Sequence, residues 1–307
     1  MTARRSRGGQ RARYRVRDWA AYDQALARRG DITVWVSPDA LADWRAPAGR
    51  RTFSDAAITA TLMLRAVFRL ALRQAEGLMA SLLRLLGVAQ PVPDHTTLSR
   101  RGRALALDRR VVAGRRLDLA IDSTGLQVAR PRGAGCEGWR KLHIAVDPGS
   151  GTIVAEELTR SDVHDSVPVP ALLSGIEGQV GRVYGDGAYA GTPTYAAVAE
   201  RRQALPNAEG VFRPKASDVL IADRLDPLAG RGRHAWHVAR DGRAGWERAT
   251  GYGRRNAAEW TFSRLKRVLG AGLRSRRLDA QRVEAGIAVR VLTTMVALGM
   301  PRARRAA

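Results

Sequence analysis

The chain has 307 residues, 45% of them hydrophobic, with a net charge of +23 and one cysteine, Cys136. The apolar content excludes a disordered chain, and a lone cysteine excludes a disulfide framework or a cysteine-built zinc site within one chain. Excess positive charge points to a polyanionic partner, nucleic acid first and an acidic protein or membrane surface second.

Residues 1–50 read as a basic amino-terminal arm with one short strand. Arg4, Arg5, Arg7, Arg11, Arg13, Arg15 and Arg17 crowd the first 17 positions, and ITVWVS (32–37) is the strand. No apolar stretch follows the basic start, so a secretory signal is not expected and a cytoplasmic, nucleoid-associated location is.

Residues 51–110 read as a helical region, a candidate for DNA binding. Ser54 or Asp55 starts a helix running to about Arg73, on which Arg65, Arg69 and Arg73 recur as one basic stripe. Leu78–Leu86 continues helical until Gly87, and Asp94 caps a third helix opening HTTLSRR, with Thr97 and Arg100 near its start. Three short helices of this kind suit a helix-turn-helix reader, or a plain bundle with a basic face. The apolar runs 58–72 and 287–300 are interrupted by Arg65, Arg69 and Arg290, so neither is a membrane span.

The texture changes at Val111, and residues 111–301 read as an α/β domain. LDLAIDS (117–123) alternates, with Leu117, Leu119 and Ile121 on one face and Asp118, Ala120 and Asp122 on the other. LHIAVD (142–147) and TIVAEELT (152–159) are further strands. A helix follows near Val167–Ile176, with Asp165 as its cap, then a fourth strand within RVYGDGAYAG (182–191) and a helix over about 192–202. That order lets the fourth strand lie parallel to the first, making Asp122 and Asp186 neighbours. Residues 203–251 look like an irregular insertion. A helix over about 254–269 and a last one over 281–298 precede a basic tail, 302–307.

On the 254–269 helix, Arg255, Glu259 and Lys266 fall on one stripe, with Phe262, Leu265 and Leu269 on the adjacent core-facing arc. Two readings of the stripe stand open: an ion-paired solvated face, or a carboxylate flanked by cations at a site. Asp122, Asp186 and Glu259 together form an all-oxygen ligand set, which suits Mg²⁺, or Mn²⁺, for phosphodiester chemistry. Asp162, His164 and Asp165 fit loop and cap roles better than metal ligation. His234 and His237 read as surface residues, and Trp236 and Trp246 could stack on a base or pack in a core. Arg140 and Lys141, at the start of a strand, are candidate DNA contacts.

The motifs IDSTG (121–125), GWRKLHIAVD (138–147), DGAYAG (186–191), GYGRRNAAEWTFSRLKRVLG (251–270) and LGMP (298–301) resemble those of bacterial insertion-sequence transposases of the insertion sequence five family, in its nine-oh-three branch. PDHTTLSRR (93–101) resembles that branch as well. The most specific part is the spacing of Tyr252, Arg255, Glu259 and Lys266. The resemblance covers about residues 50–301. It implies a ribonuclease-H-like catalytic domain, a mixed sheet with flanking helices, preceded by the helix-turn-helix-like region. It implies Asp122, Asp186 and Glu259 as catalytic, metal-holding carboxylates, with Tyr252, Arg255 and Lys266 holding DNA beside them. The expected partners are element-end and target DNA and, by mechanism, a second copy of the chain. Two alternatives fit the same residues: a DNA-binding repressor or domesticated remnant that has lost chemistry, and a metal-dependent nuclease without strand transfer.

Overall fold

Short polar side chains start the amino-terminal helices by accepting hydrogen bonds from free backbone N–H groups of the first turn. After the strand β1 (Tyr14–Val16), Asp18 caps α1 (Trp19–Arg28) and Ser37 caps α2 (Pro38–Ala42). Ser54 caps α3 (Asp55–Val67), α4 (Leu72–Leu85) follows, and Asp94 caps α5 (His95–Arg101). The computed structural model describes residues 14–47, 52–107, 116–129, 138–204, 209–224, 230–301 and 303–305. Most of the basic arm and part of the tail lie outside the described residues, as does Cys136.

Two local expectations are corrected here. ITVWVS is not a strand: Ile32–Val34 is a turn of 3-10 helix, whose start Asp31 caps by accepting from Thr33 N–H and hydroxyl at 2.9 and 2.8 Å. Trp35 and Val36 then enter the helical core. The helix expected to reach Arg73 ends at Val67, and Arg69 adopts φ +53°, the left-handed region. The cost of that conformation is offset by tertiary bonds, since Arg69 Nη2 donates to the carbonyls of Arg267 and Val268 at 3.2 and 3.1 Å. No Gly or Pro marks the break, so no local signal announced it. Arg65, Arg69 and Arg73 therefore share no continuous stripe.

The sheet follows the expected strand order. β2 (Leu117–Val128), β3 (Trp139–Val146) and β4 (Ile153–Arg160) run antiparallel in succession. After α6 (Val169–Ser174), β5 (Val180–Gly185) returns parallel to β2. Beyond α7 (Thr192–Ala204), β6 (Glu209–Phe212) pairs parallel to β5. The strand order is β4-β3-β2-β5-β6, and β7 (Gly272–Leu273) pairs with the far end of β2.

Residues 203–251 are not the irregular stretch expected, because they contain β6, α8 (Ala216–Leu220) and α9 (Gly230–Thr250). The four residues of β6 are too few to show a period, and their ladder to β5 is a long-range pairing. α9 is broken in mid-course at Gly242, φ +70°. A 3-10 turn, Tyr252–Arg255, then leads into α10 (Asn256–Leu269), and α11 (Leu278–Leu298) completes the helices. β8 (Ala303–Arg305) pairs antiparallel with β1.

Alternation along β2 fills both sheet faces. Leu117, Leu119 and Ile121 pack with α6 and α7, through Val169, Leu173, Ala197 and Val198. Ala120 and Leu126 face α10 and α11, where Phe262, Leu265, Val289 and Leu292 are buried. α11 also supplies Val283, Ile287, Val291 and Met295 to the core of α3, α4 and α5. One long helix thus ties the helical region to the sheet.

Candidate active site

β2 and β5 run side by side with Ala120 opposite Tyr184. β5 ends at Gly185, one residue before Asp186, while β2 continues past Asp122. Both carboxylates thus project where the parallel pair parts, at the carboxyl end of β5. Gly185 permits this packing: a Cβ there would stand 3.0 Å from Phe212 and 3.1 Å from Ile121. Asp186 Oδ1 accepts from Ala188 N–H at 2.8 Å and so starts a 3-10 turn, while Asp122 Oδ1 accepts from Ser123 N–H at 2.8 Å.

Glu259 comes from the first turn of α10, its side chain half exposed. Arg255 lies between the carboxylates. Its Nη2 donates to Glu259 Oε1 at 2.6 Å and its Nη1 stands 3.9 Å from Asp122 Oδ2. Burial pushes the Asp122 carboxyl up to about 6; the Ser123 N–H and Arg255 oppose the shift, while the charges of Asp186 and Glu259 add to it. The three acids named from the sequence therefore share one electrostatic neighbourhood.

Tyr252 sits in a small core instead of on the surface. Its ring lies 4.7 Å from that of Trp246, and the Arg255 guanidinium carbon is 5.8 Å from its centroid. Trp246 Nε1 donates to His234 Nδ1 at 3.1 Å, and His234 Nε2 donates to the Gly210 carbonyl at 2.7 Å. This pairing requires neutral imidazole protonated on Nε2, and burial lowers the His234 pKa accordingly. His234 is thus a buried strut and not the surface residue expected, and the fully buried Trp246 is core. Together they fix the platform behind Arg255, a role that nothing local in a Gly- and Arg-rich segment signalled. Trp236 is exposed, with Arg240 4.6 Å from its ring centroid. His237 pairs with Asp241 at 2.8 Å.

Several residues expected to touch DNA are engaged within the protein. Lys141 Nζ donates to Val163 O at 2.8 Å and pairs with Asp165 at 3.1 Å. That pairing occupies the residue expected to cap α6, which starts after Pro168 with no side-chain cap. Arg140 Nε donates to Gln281 Oε1 at 2.9 Å. Arg65 faces Glu284 at 3.9 Å, and burial lowers its pKa. Thr97 lies in the first turn of α5, its N–H given to Asp94, and Arg100 is exposed on the same helix. Lys266, two turns beyond Glu259, makes no ion pair among the described residues. Asp162 pairs with Arg160, and His164 bonds to Ser166 at 2.8 Å.

The donor set suits a hard divalent cation. Asp122, Asp186 and Glu259 offer only carboxylate oxygens, and their mutual repulsion is what a bound cation would relieve. Among the described residues no three acidic, His or Cys side chains are gathered tightly around one point, and Glu259 is turned to Arg255. The guanidinium thus supplies part of the positive charge at this site.

Comparison with known proteins identifies a family. Two family descriptions, both of the transposase DDE domain, match the chain, one over residues 27–130 and the other over residues 113–295. Among solved structures, a piggyBac transposase synaptic complex with hairpin DNA aligns with 10% sequence identity and a TM-score of 0.42, covering 89% of this chain and 74% of that one. With one match spanning more than half of the sequence, the chain belongs to the transposase DDE domain family and is a DDE transposase enzyme.

Proposed function

We propose that this transposase binds the terminal inverted repeats of an insertion sequence and catalyses metal-dependent strand cleavage followed by strand transfer. DDE transposases as a family depend on divalent metal. The observation that carries the reading here is that Arg255 stands 3.9 Å from Asp122 and 2.6 Å from Glu259, while Asp186 follows the end of the strand parallel to that of Asp122. The strand order, with one antiparallel strand inside an otherwise parallel arrangement around β2 and β5, supports a ribonuclease-H-like domain. The spacing from Tyr252 to Lys266 supports the insertion sequence five family and its nine-oh-three branch.

Asp122, Asp186 and Glu259 would hold Mg²⁺, or Mn²⁺. Such a cation would supply positive charge to a phosphodiester oxygen and would lower the pKa of a water, so that it loses a proton more readily and becomes the better nucleophile. In the first step water adds to the phosphorus at the element end, the P–O3′ bond breaks, and a 3′-hydroxyl is freed. That hydroxyl then attacks a target phosphodiester, so one P–O bond forms as another breaks and no nucleotide cofactor is consumed. Arg255, held over the Tyr252 ring, balances carboxylate charge, and Lys266 is available to hold a phosphate. Thr97 and Arg100 on α5 would contact end DNA as part of a helix-turn-helix-like reader. Two ends must meet for transfer, which calls for a homo-oligomer on DNA. The test is cleavage of a labelled element-end duplex with Mg²⁺ or with chelator. Cleavage at the end only with metal supports the reading, and metal-independent or sequence-blind cutting contradicts it. Among the described residues no helix is long and apolar enough to cross a membrane.

A further inference from the structure

A cavity of about 640 Å³ opens between α3, α5, β7 and the start of α11. Leu62, Leu98, Leu265 and Leu273 are among its apolar walls. Among the described residues its lining holds six arginines, Arg65, Arg69, Arg103, Arg274, Arg276 and Arg277, and a single carboxylate, Glu284. Arg69, Arg103, Arg274, Arg276 and Arg277 are exposed. Guanidiniums crowded at an apolar rim repel one another, and an anion laid across them removes that cost.

The loop carrying three of these arginines is held firmly. Glu284 accepts from the backbone N–H of Arg274 at 3.0 Å and of Ser275 at 2.7 Å, and the fully buried Gln281 donates to the Ser275 carbonyl at 3.0 Å. Glu284 and Gln281 thereby anchor the backbone. Arg277 pairs with Asp279 at 3.2 Å, while Arg103 and Arg276 make no ion pair among the described residues. A loop ordered in advance loses little entropy when it meets a partner.

Helix α10 leads from the candidate carboxylates to one end of the belt, and α5 lies at the other. From Glu259 to Gly270 the chain rises about 16 Å at ~1.5 Å per residue, the span of about five base steps of a strand. At Gly270 it meets Arg69, whose guanidinium carbon is 3.9 Å from where a Cβ would stand. Arg274 Nη1 donates to the carbonyls of Arg69 and Leu70, continuing the line to Arg276. Arg103 lies two residues beyond the end of α5, on the same cavity wall as Arg276.

We propose that this arginine belt, from Arg69 and Arg274 to Arg276 and Arg103, seats the sugar–phosphate backbone of the duplex between α5 and the three carboxylates. The inference rests on the DNA-binding reading and adds a path to it. Binding of the full chain to a labelled random-sequence duplex is measured by fluorescence anisotropy across a salt series. Arg276→Ala with Arg103→Ala should lower the slope of log K against log salt by about 2, roughly 0.9 for each phosphate that is no longer neutralised. Arg276→Glu should weaken binding more than Arg276→Ala alone, and Arg240→Ala, on α9 outside the belt, should match the wild type. Thermal melts on the same proteins establish that each variant is folded. A steep wild-type slope left unchanged in the double variant overturns the belt while leaving DNA binding intact. A wild-type chain that binds no duplex overturns both.

Discussion

Arg255 and Glu259 are joined at 2.6 Å one turn apart on the chain, and the same guanidinium reaches toward Asp122 at 3.9 Å. An i,i+4 pair of this kind on an exposed helix contributes only about 0.3–0.5 kcal/mol. Here the cation also faces a carboxylate that burial and two other acids disfavour.

Arg255→Ala should therefore destabilise the metal-free protein by about 1–3 kcal/mol, because buried negative charge loses its counter-ion. Added Mg²⁺ should restore much of the loss. Thermal melts with chelator and with Mg²⁺ check this, and an equal loss in both conditions would make Arg255 an ordinary packing residue.

Asp122 gives a stability difference with a defined sign. Unfolded, its carboxyl titrates near about 3.9; folded, near about 6. Between those values the folded chain binds more protons, so stability falls as pH rises through the window. Asp122→Asn removes that titration. Without metal, the variant should exceed the wild type by on the order of 1–3 kcal/mol at pH 7, with the gain gone below about pH 4. Denaturant unfolding in chelator at both pH values measures it, and a variant weaker than wild type at pH 7 contradicts the account.

The framework that brings the candidate carboxylates into one region was partly legible in the sequence, for physical reasons. Period-two alternation marks β2, and the helical stripe from Arg255 to Lys266 shows which residues share a face. The supports were not legible. β6 is four residues long, the Trp246–His234–Gly210 chain joins positions far apart, and the break at Arg69 is held by carbonyls of α10. Each depends on partners that only the folded chain brings near.

Trp246 tests that hidden support. Trp246→Ala should cost about 3–5 kcal/mol through the cavity it leaves, and it should loosen Tyr252 beneath Arg255. Trp246→Phe keeps most of the volume but leaves the buried His234 Nδ1 without its donor, at a cost of about 1–3 kcal/mol. Denaturant midpoints read both. Unchanged stability with weakened DNA binding would instead make Trp246 a base-stacking residue.

Recognition of element ends should depend on α5. Thr97→Ala with Arg100→Ala is expected to lower the preference for end DNA over random DNA by about 10- to 100-fold, the scale of one base-specific interaction. Competition binding with the two duplexes measures the ratio. A ratio equal to wild type in a folded variant would place recognition elsewhere in the chain.

Strand cleavage by carboxylate variants tests the central claim most directly. Asp122→Asn, Asp186→Asn and Glu259→Gln, each assayed on a labelled element-end duplex in Mg²⁺ beside a binding assay, should abolish cleavage. Each should retain or strengthen DNA binding, because a negative charge near the phosphates is gone. Wild-type cleavage by Glu259→Gln would contradict the account and leave the Arg255–Glu259 pair as a solvated ion pair on a structural helix.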